Sequence, residues 1–176
     1  TETGISIMKI VQKLDTGPYM MQKSVTINKT DNFLSLSKKL SEIGSNLILE
    51  ALNIFEKNET KFVDQDNKSA TYAKKITKEE AEIDWNNTAQ QLIAKINGLN
   101  PYPGAWFMHK DSRIKIFEAE ISKIRGNKGE VLTNDLVVGC QNNSIKINLL
   151  QKEGKKVLDS KSFLAGYKIN KGELLS

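Results

Sequence analysis

The sequence predicts an α+β protein in which a partial α/β unit, a polar linker and a small antiparallel β-barrel follow one another. Two apolar segments precede a long stretch with helical spacing, residues 57–70 are polar without periodicity, and beyond residue 106 the hydrophobic period falls to two. We therefore expect residues 1–58 to be the end of a larger domain, residues 59–78 the linker and residues 79–176 the barrel domain.

The first part of the chain contains two strand candidates, residues 5–11 (ISIMKIV) and 19–27 (YMMQKSVTI). The segment KLDTGP between them, residues 13–18, is made largely of turn-forming residues. Residues 30–32 offer a helix cap, after which apolar side chains recur every three or four positions: Leu36, Leu40, Ile43, Leu47, Ala51 and Phe55. Two strands and one helix bury too little apolar surface to offset the chain entropy lost on folding, so we expect them to belong to a larger sheet.

The second part begins with a helix predicted over residues 88–99, which NPYPGAW (residues 100–106) terminates with two prolines and a glycine. Alternating apolar residues follow, and they change phase between Ile116 and Phe117, which indicates a β-bulge. Short strands separated by Asn- and Asp-rich turns are typical of a small antiparallel barrel.

The charge of the chain is concentrated in its second half. The formal net charge is +5, and after residue 80 there are 14 basic against 10 acidic residues. This asymmetry is compatible with a polyanionic partner and equally with a solvated lysine-rich surface. Because 24 of the 26 basic residues are lysines, contact with a nucleic-acid backbone is favoured over base readout, for which arginine is better suited.

Several classes of protein are excluded by composition. No apolar run is long enough for a membrane span, and the first residues have no leader pattern, so we expect a cytoplasmic protein without a membrane partner. A single cysteine, Cys140, forms no internal disulfide and no cysteine-based zinc site, and we expect no bound metal. The single histidine, His109, lies in the polar stretch MHKDSR, which predicts an exposed position without a catalytic role.

A series of longer strings carries a specific resemblance. TGISIM and LDTGP near the start, TYAKKITKEEAEIDW at 71–85, NPYPGAW at 100–106 and LLQKEGKKVLDSKSFLAG at 149–166 occur in this order. In these strings the chain resembles the C-terminal part of the methionyl-tRNA formyltransferase family. The resemblance implies the end of a Rossmann-like formyltransferase domain followed by an OB-like domain. The family's Asn-x-His and Ser-Leu-Leu-Pro strings have no counterpart, so we expect a fragment that is inactive alone.

The resemblance also implies a chemistry, the transfer of a formyl group from 10-formyltetrahydrofolate to the amino group of methionyl-initiator-tRNA. Of the family's catalytic asparagine, histidine and aspartate, the aspartate corresponds to Asp15, which would orient the histidine or relay a proton through water. Leu14, Thr16 and Gly17 of the same turn would line the folate pocket. Judged from local sequence alone, Asp15 is equally a residue that closes an Asx-type turn.

The resemblance further implies initiator methionyl-tRNA as the partner of a protein that is monomeric at full length. Lys75 corresponds to the family's linker contact with tRNA, and Lys155 and Lys156 fall in a family string, whereas Arg113 and Lys115 are candidate phosphate contacts by charge alone. Two alternatives stay open. One is a stand-alone OB-like nucleic-acid-binding module, and the other is a different formyltetrahydrofolate-dependent formyltransferase or hydrolase.

Overall fold

The computed structural model describes residues 2–176, and the chain divides into two compact units, Thr1–Lys75 and Ile76–Ser176. The elements of the first unit are β1 (Glu2–Met8), β2 (Tyr19–Thr26), α1 (Phe33–Glu56) and a 3₁₀ turn (Asn67–Ser69). Those of the second unit are α2 (Ala89–Leu99), β3 (Ala105–His109), β4 (Ser112–Ser122), β5 (Val137–Gly139), β6 (Ser144–Lys152), β7 (Leu158–Asp159) and α3 (Ser160–Gly166).

The first unit is an antiparallel hairpin of β1 and β2 against which α1 packs. The predicted cap of α1 is confirmed, because the side chain of Asn32 accepts a hydrogen bond from the Ser35 amide while the Ser35 side chain accepts one from the Asn32 amide. The predicted first strand is placed too late. β1 ends at Met8 because its pairing with β2, which shifts register between Ile7 and Met8, stops there, and Ile10 is 92% exposed in the connection between the two strands.

The helix α1 buries less of its apolar surface than its sequence predicts. Leu47 and Ala51 are its buried residues in the described chain. Other apolar side chains of the same helix are more than two-fifths exposed: Phe33, Leu34, Ile48, Leu49, Leu52 and Phe55. Exposed apolar side chains in this number on one helix usually mark a face against which another segment or molecule packs.

The second unit is a five-stranded antiparallel sheet in the order β3-β4-β6-β5, with β7 beside β6. The predicted bulge in β4 is confirmed, since the pairing of β4 with β6 shifts register on both sides of Glu118. The predicted helix is confirmed as α2, which begins at a Thr88 cap. Its apolar face packs on the sheet together with Phe107, which meets the Trp85 ring edge-on at 5.9 Å.

Two irregular segments extend the pairing beyond the named strands. Residues 81–83 run beside β3, where the Ile83 amide donates to the carbonyl of Trp106. The last residues pair on two sides, because Ser176 and Met108 exchange backbone hydrogen bonds and the Val131 amide donates to the carbonyl of Glu173. The expected mixture of helices and antiparallel sheets is therefore confirmed, whereas the named strands of residues 2–176 do not by themselves form a closed barrel. No helix in this range is long and apolar enough to traverse a bilayer.

Candidate functional site

The three residues predicted to line a folate pocket, Leu14, Thr16 and Gly17, lie with the predicted catalytic Asp15 in the turn between β1 and β2. Leu14 is 85% exposed, and Asp15, also exposed, has the left-handed backbone conformation with φ of 56°. The hydroxyl of Thr16 donates to the carbonyl of Lys13 at 3.0 Å, which closes the turn from within. The structure thus places Leu14, Asp15 and Thr16 on one short loop, with its side chains available to a ligand.

Gly17 is the buried residue of this turn, and its role is steric. A Cβ at this position would lie 1.8 Å from the carbonyl oxygen of Lys9, far inside van der Waals contact. The glycine therefore permits the close approach of two backbone segments, which the hydrogen bond from the Lys9 amide to Pro18 fixes at 2.9 Å. Any side chain here would push the turn away from the end of β1.

A residue that the sequence analysis missed holds this turn in place. The side-chain amide of Gln65 donates to the carbonyls of Asp15, at 3.0 Å, and Gly17, at 2.6 Å. Two backbone hydrogen bonds between Tyr19 and Val63, at 2.9 and 2.8 Å, bring Gln65 to the turn. No local signal could have revealed this contact, because the partners are about fifty residues apart and Gln65 lies in a polar stretch without periodicity.

The carboxylate of Asp15 stays available. Within residues 2–176 it accepts no hydrogen bond and forms no ion pair, so the Asx-type closure that local sequence also allowed is not the arrangement adopted. The turn is held instead by backbone carbonyls and the Gln65 amide. An exposed carboxylate on a turn fixed in this way can accept a proton or orient a neighbouring donor.

In the second unit, two of the predicted RNA contacts lie on the outer face of the β3–β4 hairpin. Trp106 is directly opposite Lys115, and Met108 is directly opposite Arg113, so all four side chains share one face. The guanidinium of Arg113 lies over the Trp106 ring, 4.2 Å from its centroid. The indole, 8% exposed, is held from below by a hydrogen bond from its Nε1 to the carbonyl of Lys78 at 2.9 Å. Trp106 thus belongs to the hydrophobic core of the second unit.

These side chains surround a cleft of about 250 Å³. Its lining includes Lys78, Tyr102, Trp106, Arg113, Lys115 and Glu153. Across the described residues, none of the three cations of this cleft has a carboxylate partner within 4 Å. The cleft therefore carries a net positive charge beside aromatic surface, which suits an anionic ligand with a ring.

The remaining predicted contacts are exposed lysines that lie outside the helices and strands. Lys155 and Lys156 follow β6, in a turn closed by the Lys155 amide donating to Lys152 and by the Gln151 side chain donating to the Lys155 carbonyl. Lys75 is exposed and is the last residue of the first unit. Their charged groups can attract phosphates but lack the fixed geometry of Arg113.

The expectation that His109 is exposed is wrong. The residue is 4% exposed, and its ring lies 2.6 Å from the Glu173 carboxylate through Nε2 and 3.1 Å from the Tyr167 hydroxyl through Nδ1. The polar neighbours of His109 in sequence concealed its inward position at the end of β3. Hydrogen bonds from His109 and then from Asn170 lower the pKa of Glu173 below its ordinary value of 4.5.

Comparison with known proteins identifies a family domain that begins close to where the second unit does. The profile described as "Formyl transferase, C-terminal domain" matches residues 75–168. "Methionyl-tRNA formyltransferase" of Pelagibacter ubique is 49% identical over 177 residues, which cover 99% of this chain and 57% of that protein. The protein of the same name from Thermodesulfovibrio yellowstonii is 38% identical, over 97% of this chain and 56% of its own length. The chain thus spans a little over half the length of these curated relatives.

Solved structures share the fold. HypX from Aquifex aeolicus, in complex with tetrahydrofolic acid, superposes with a TM-score of 0.73 over 98% of this chain and 34% of HypX, at 18% identity. Methionyl-tRNA formyltransferase from Clostridium thermocellum superposes with a TM-score of 0.52 over 69% of this chain and 52% of its own, also at 18% identity. At such identities the likeness concerns the fold alone.

Proposed function

Since this chain belongs to the formyl transferase family and carries that family's C-terminal domain, we propose that it is the C-terminal part of a methionyl-tRNA formyltransferase. The proposed reaction moves a formyl group from 10-formyltetrahydrofolate to the amino group of initiator methionyl-tRNA. The observation that carries the proposal is the 49% identity, along almost the whole chain, with a curated protein of that name. That relative's name favours a tRNA substrate over the alternatives that the sequence left open.

Residues 1–58, which contain β1, β2 and α1, are proposed as the end of the folate-binding catalytic domain. The exposed apolar side chains of α1 support this, because such a surface suits a helix that packs against more of a sheet. The exposed carboxylate of Asp15 on a turn held by Gln65 is compatible with a role beside the reacting groups. Leu14, Thr16 and Gly17 would present the turn to the folate.

The chemical role proposed for Asp15 follows from the reaction. The substrate amine attacks the formyl carbon, an oxyanion develops, and a proton must leave the nitrogen for the folate leaving group. A carboxylate can hold the base that takes this proton or pass the proton through a water molecule. Nothing in the described surroundings of Asp15 competes for its carboxylate.

Residues 79–176 are proposed as an OB-like tRNA-binding domain, joined to the first domain through a linker at 59–78. The backbone pairings at the C-terminus support a barrel, because they link the two edges of the sheet. Ser176 pairs with Met108 of β3, Glu173 pairs with Val131, and Val131 in turn pairs with Val138 of β5. A sheet that returns on itself in this way leaves fewer unpaired edges. We propose further that the full-length protein is a cytoplasmic monomer, which gel filtration with light scattering would test for the oligomeric state.

The phosphate contacts proposed for tRNA are five basic side chains: Lys75, Arg113, Lys115, Lys155 and Lys156. Each phosphate neutralised on a duplex contributes about 0.9 to the slope of log affinity against log salt. Five contacts give a slope near −4.5, so affinity should fall roughly 500-fold between 50 and 200 mM salt. Removing one contact should flatten the slope by about 0.9 and reduce that ratio to roughly 150-fold.

The binding experiment measures the affinity of the 176-residue chain for initiator methionyl-tRNA across this salt range. Lys75→Ala and Lys155→Ala should each flatten the slope. Lys57→Ala removes an equally exposed lysine that is not in the proposed set, and should leave the slope unchanged. Unchanged affinity and slope in both test variants would contradict the proposed contacts.

Formyl transfer is tested in a chimera in which this chain replaces the corresponding C-terminal part of the Pelagibacter ubique relative. The chimera should formylate methionyl-tRNA. Asp15→Asn should lower its kcat by about 100-fold or more, the range of positioned proton-transfer groups, with tRNA affinity unchanged. An inactive chimera that still binds tRNA would count against the proposed reaction.

A further inference from the structure

The cleft on the β3–β4 hairpin contains an exposed aromatic ring in addition to the cations that would contact a nucleic-acid backbone. Tyr102 lines it and is 76% exposed, although a tyrosine in a folded domain usually buries most of its ring. The ring lies in the same 250 Å³ cleft as Arg113 and Lys115. An exposed aromatic face beside two cations is the combination by which proteins hold single-stranded nucleic acid.

The cations of the cleft are also arranged for an anion rather than for one another. The guanidinium carbon of Arg113 lies over the Trp106 ring, 4.2 Å from its centroid, and the buried Nε has no hydrogen-bond partner in the described residues. The stem of Lys115 crosses Gly104, with its Cδ 3.0 Å from where a Cβ would stand. Both side chains are therefore held before any ligand arrives, which reduces the entropy that binding costs.

The charge of the cleft favours a phosphate. Lys78, Arg113 and Lys115 face it, against one lining carboxylate, that of Glu153. Glu79, next to Lys78 in sequence, is the other acidic group nearby, and it has charge interactions with Lys78 and Arg113. The net balance remains positive, so the cleft should attract one phosphate group.

We propose that this cleft binds a single unpaired nucleotide of the RNA, with its phosphate on Arg113 and Lys115 and its base stacked on Tyr102. The proposal rests on the proposed tRNA-binding function and adds to it a preference for an unpaired base. A duplex offers phosphates to the same cations but keeps its bases stacked inside, out of reach of the ring. An acidic peptide would satisfy the cations and leave Tyr102 without a role.

The test compares two probes on the 176-residue chain, a fluorescein-labelled single-stranded RNA of twelve nucleotides and the blunt duplex of the same sequence. Tyr102→Ala should weaken single-strand binding about tenfold, the size of one base–aromatic stacking contact, and change duplex binding less than twofold. Tyr102→Phe keeps the ring and should retain the affinity for both probes. Because Tyr102 is exposed, these variants should fold like the parent chain, which far-UV circular dichroism checks.

The control is Lys123→Ala, which removes an exposed cation just beyond the far end of β4. Lys123 is not among the five proposed contacts, so this variant should leave the affinity for both probes and the salt slope unchanged, whereas Lys115→Ala should weaken both probes and flatten the salt slope. Equal effects of Tyr102→Ala on the two probes, or none, would overturn the cleft proposal while tRNA binding stands. The cleft proposal would also be overturned if a ten-residue polyglutamate displaced the single-stranded RNA equally well from the parent chain and from Tyr102→Ala, because Tyr102 would then contribute nothing to RNA binding. A chain that binds no RNA at all contradicts the proposed function and the cleft together.

Discussion

Removal of the Glu173 carboxylate should destabilise the second unit through His109. The His109 ring is 4% exposed, and its Nε2 is 2.6 Å from Glu173. In Glu173→Ala this buried nitrogen loses its partner, and an unsatisfied buried polar group costs about 1–3 kcal/mol. Glu173→Gln retains an acceptor at the same reach, so we expect a loss below about 1 kcal/mol.

The assay is urea unfolding followed by tryptophan fluorescence. Both tryptophans, Trp85 and Trp106, lie in the second unit, so their emission reports the unfolding of that unit. The matched control is Glu120→Ala, which removes an exposed carboxylate of β4 without a hydrogen-bond partner among residues 2–176. Equal midpoints for Glu173→Ala and Glu120→Ala would refute the reasoning.

The same contact predicts a dependence on pH. The hydrogen bonds from His109 and Asn170 hold the pKa of Glu173 below 4.5. A carboxyl group whose pKa is lowered in the folded state contributes stability that is complete above its unfolded pKa and is lost as the pH falls below that value. The difference in stability between the parent chain and Glu173→Gln should therefore be constant near neutrality and shrink below about pH 4.5.

Three further predictions concern other parts of the chain. Gln65→Leu removes two hydrogen bonds that hold residues 13–18, so hydrogen exchange at the Lys9 and Tyr19 amides, which donate to Pro18 and Val63 beside this turn, should accelerate roughly tenfold; unchanged exchange would contradict the contact. Burial raises the pKa of Cys140 to about 11, so iodoacetamide at pH 8 should label the folded chain far more slowly than the urea-unfolded chain; equal rates would exclude this environment. The hydrogen bond from Lys39 is the largest of the effects that lower the pKa of Asp31 to about 2, so the stabilisation by this pair is complete above pH 3.8 and is lost toward pH 2. Lys39→Met should therefore raise the midpoint pH of acid unfolding, followed by circular dichroism at 222 nm, and an unchanged midpoint would contradict this role of the pair.

Local patterns in the sequence were sufficient for the elements that local interactions determine. The cap of α1, the helix α2 and the bulge in β4 depend on residues within a few positions of one another, and each was predicted. The strand β1 was placed late because β-branched residues continue past Met8, whereas its pairing with β2 begins at Glu2 and ends at Met8. Pairing between distant segments overrides propensity at such points.

The candidate sites show the same limit. The turn at Asp15 could be found because its residues are adjacent, but its support from Gln65 depends on a contact across the first unit. Arg113 and Lys115 were selected by charge, and only the fold brings them beside Tyr102. His109 was misjudged because a polar neighbourhood in sequence says little about a side chain whose partners, Tyr167 and Glu173, come from the end of the chain.

The close contact between Gly17 and Lys9 distinguishes the position of this loop that admits no substitution from positions that do. The backbone crossing admits no side chain at position 17, so that position is fixed by the scaffold. Leu14 is 85% exposed and carries no part of the crossing. Its identity can therefore diverge among homologues, or be redesigned in a library, and alter what the loop recognises without rebuilding the hairpin beneath it.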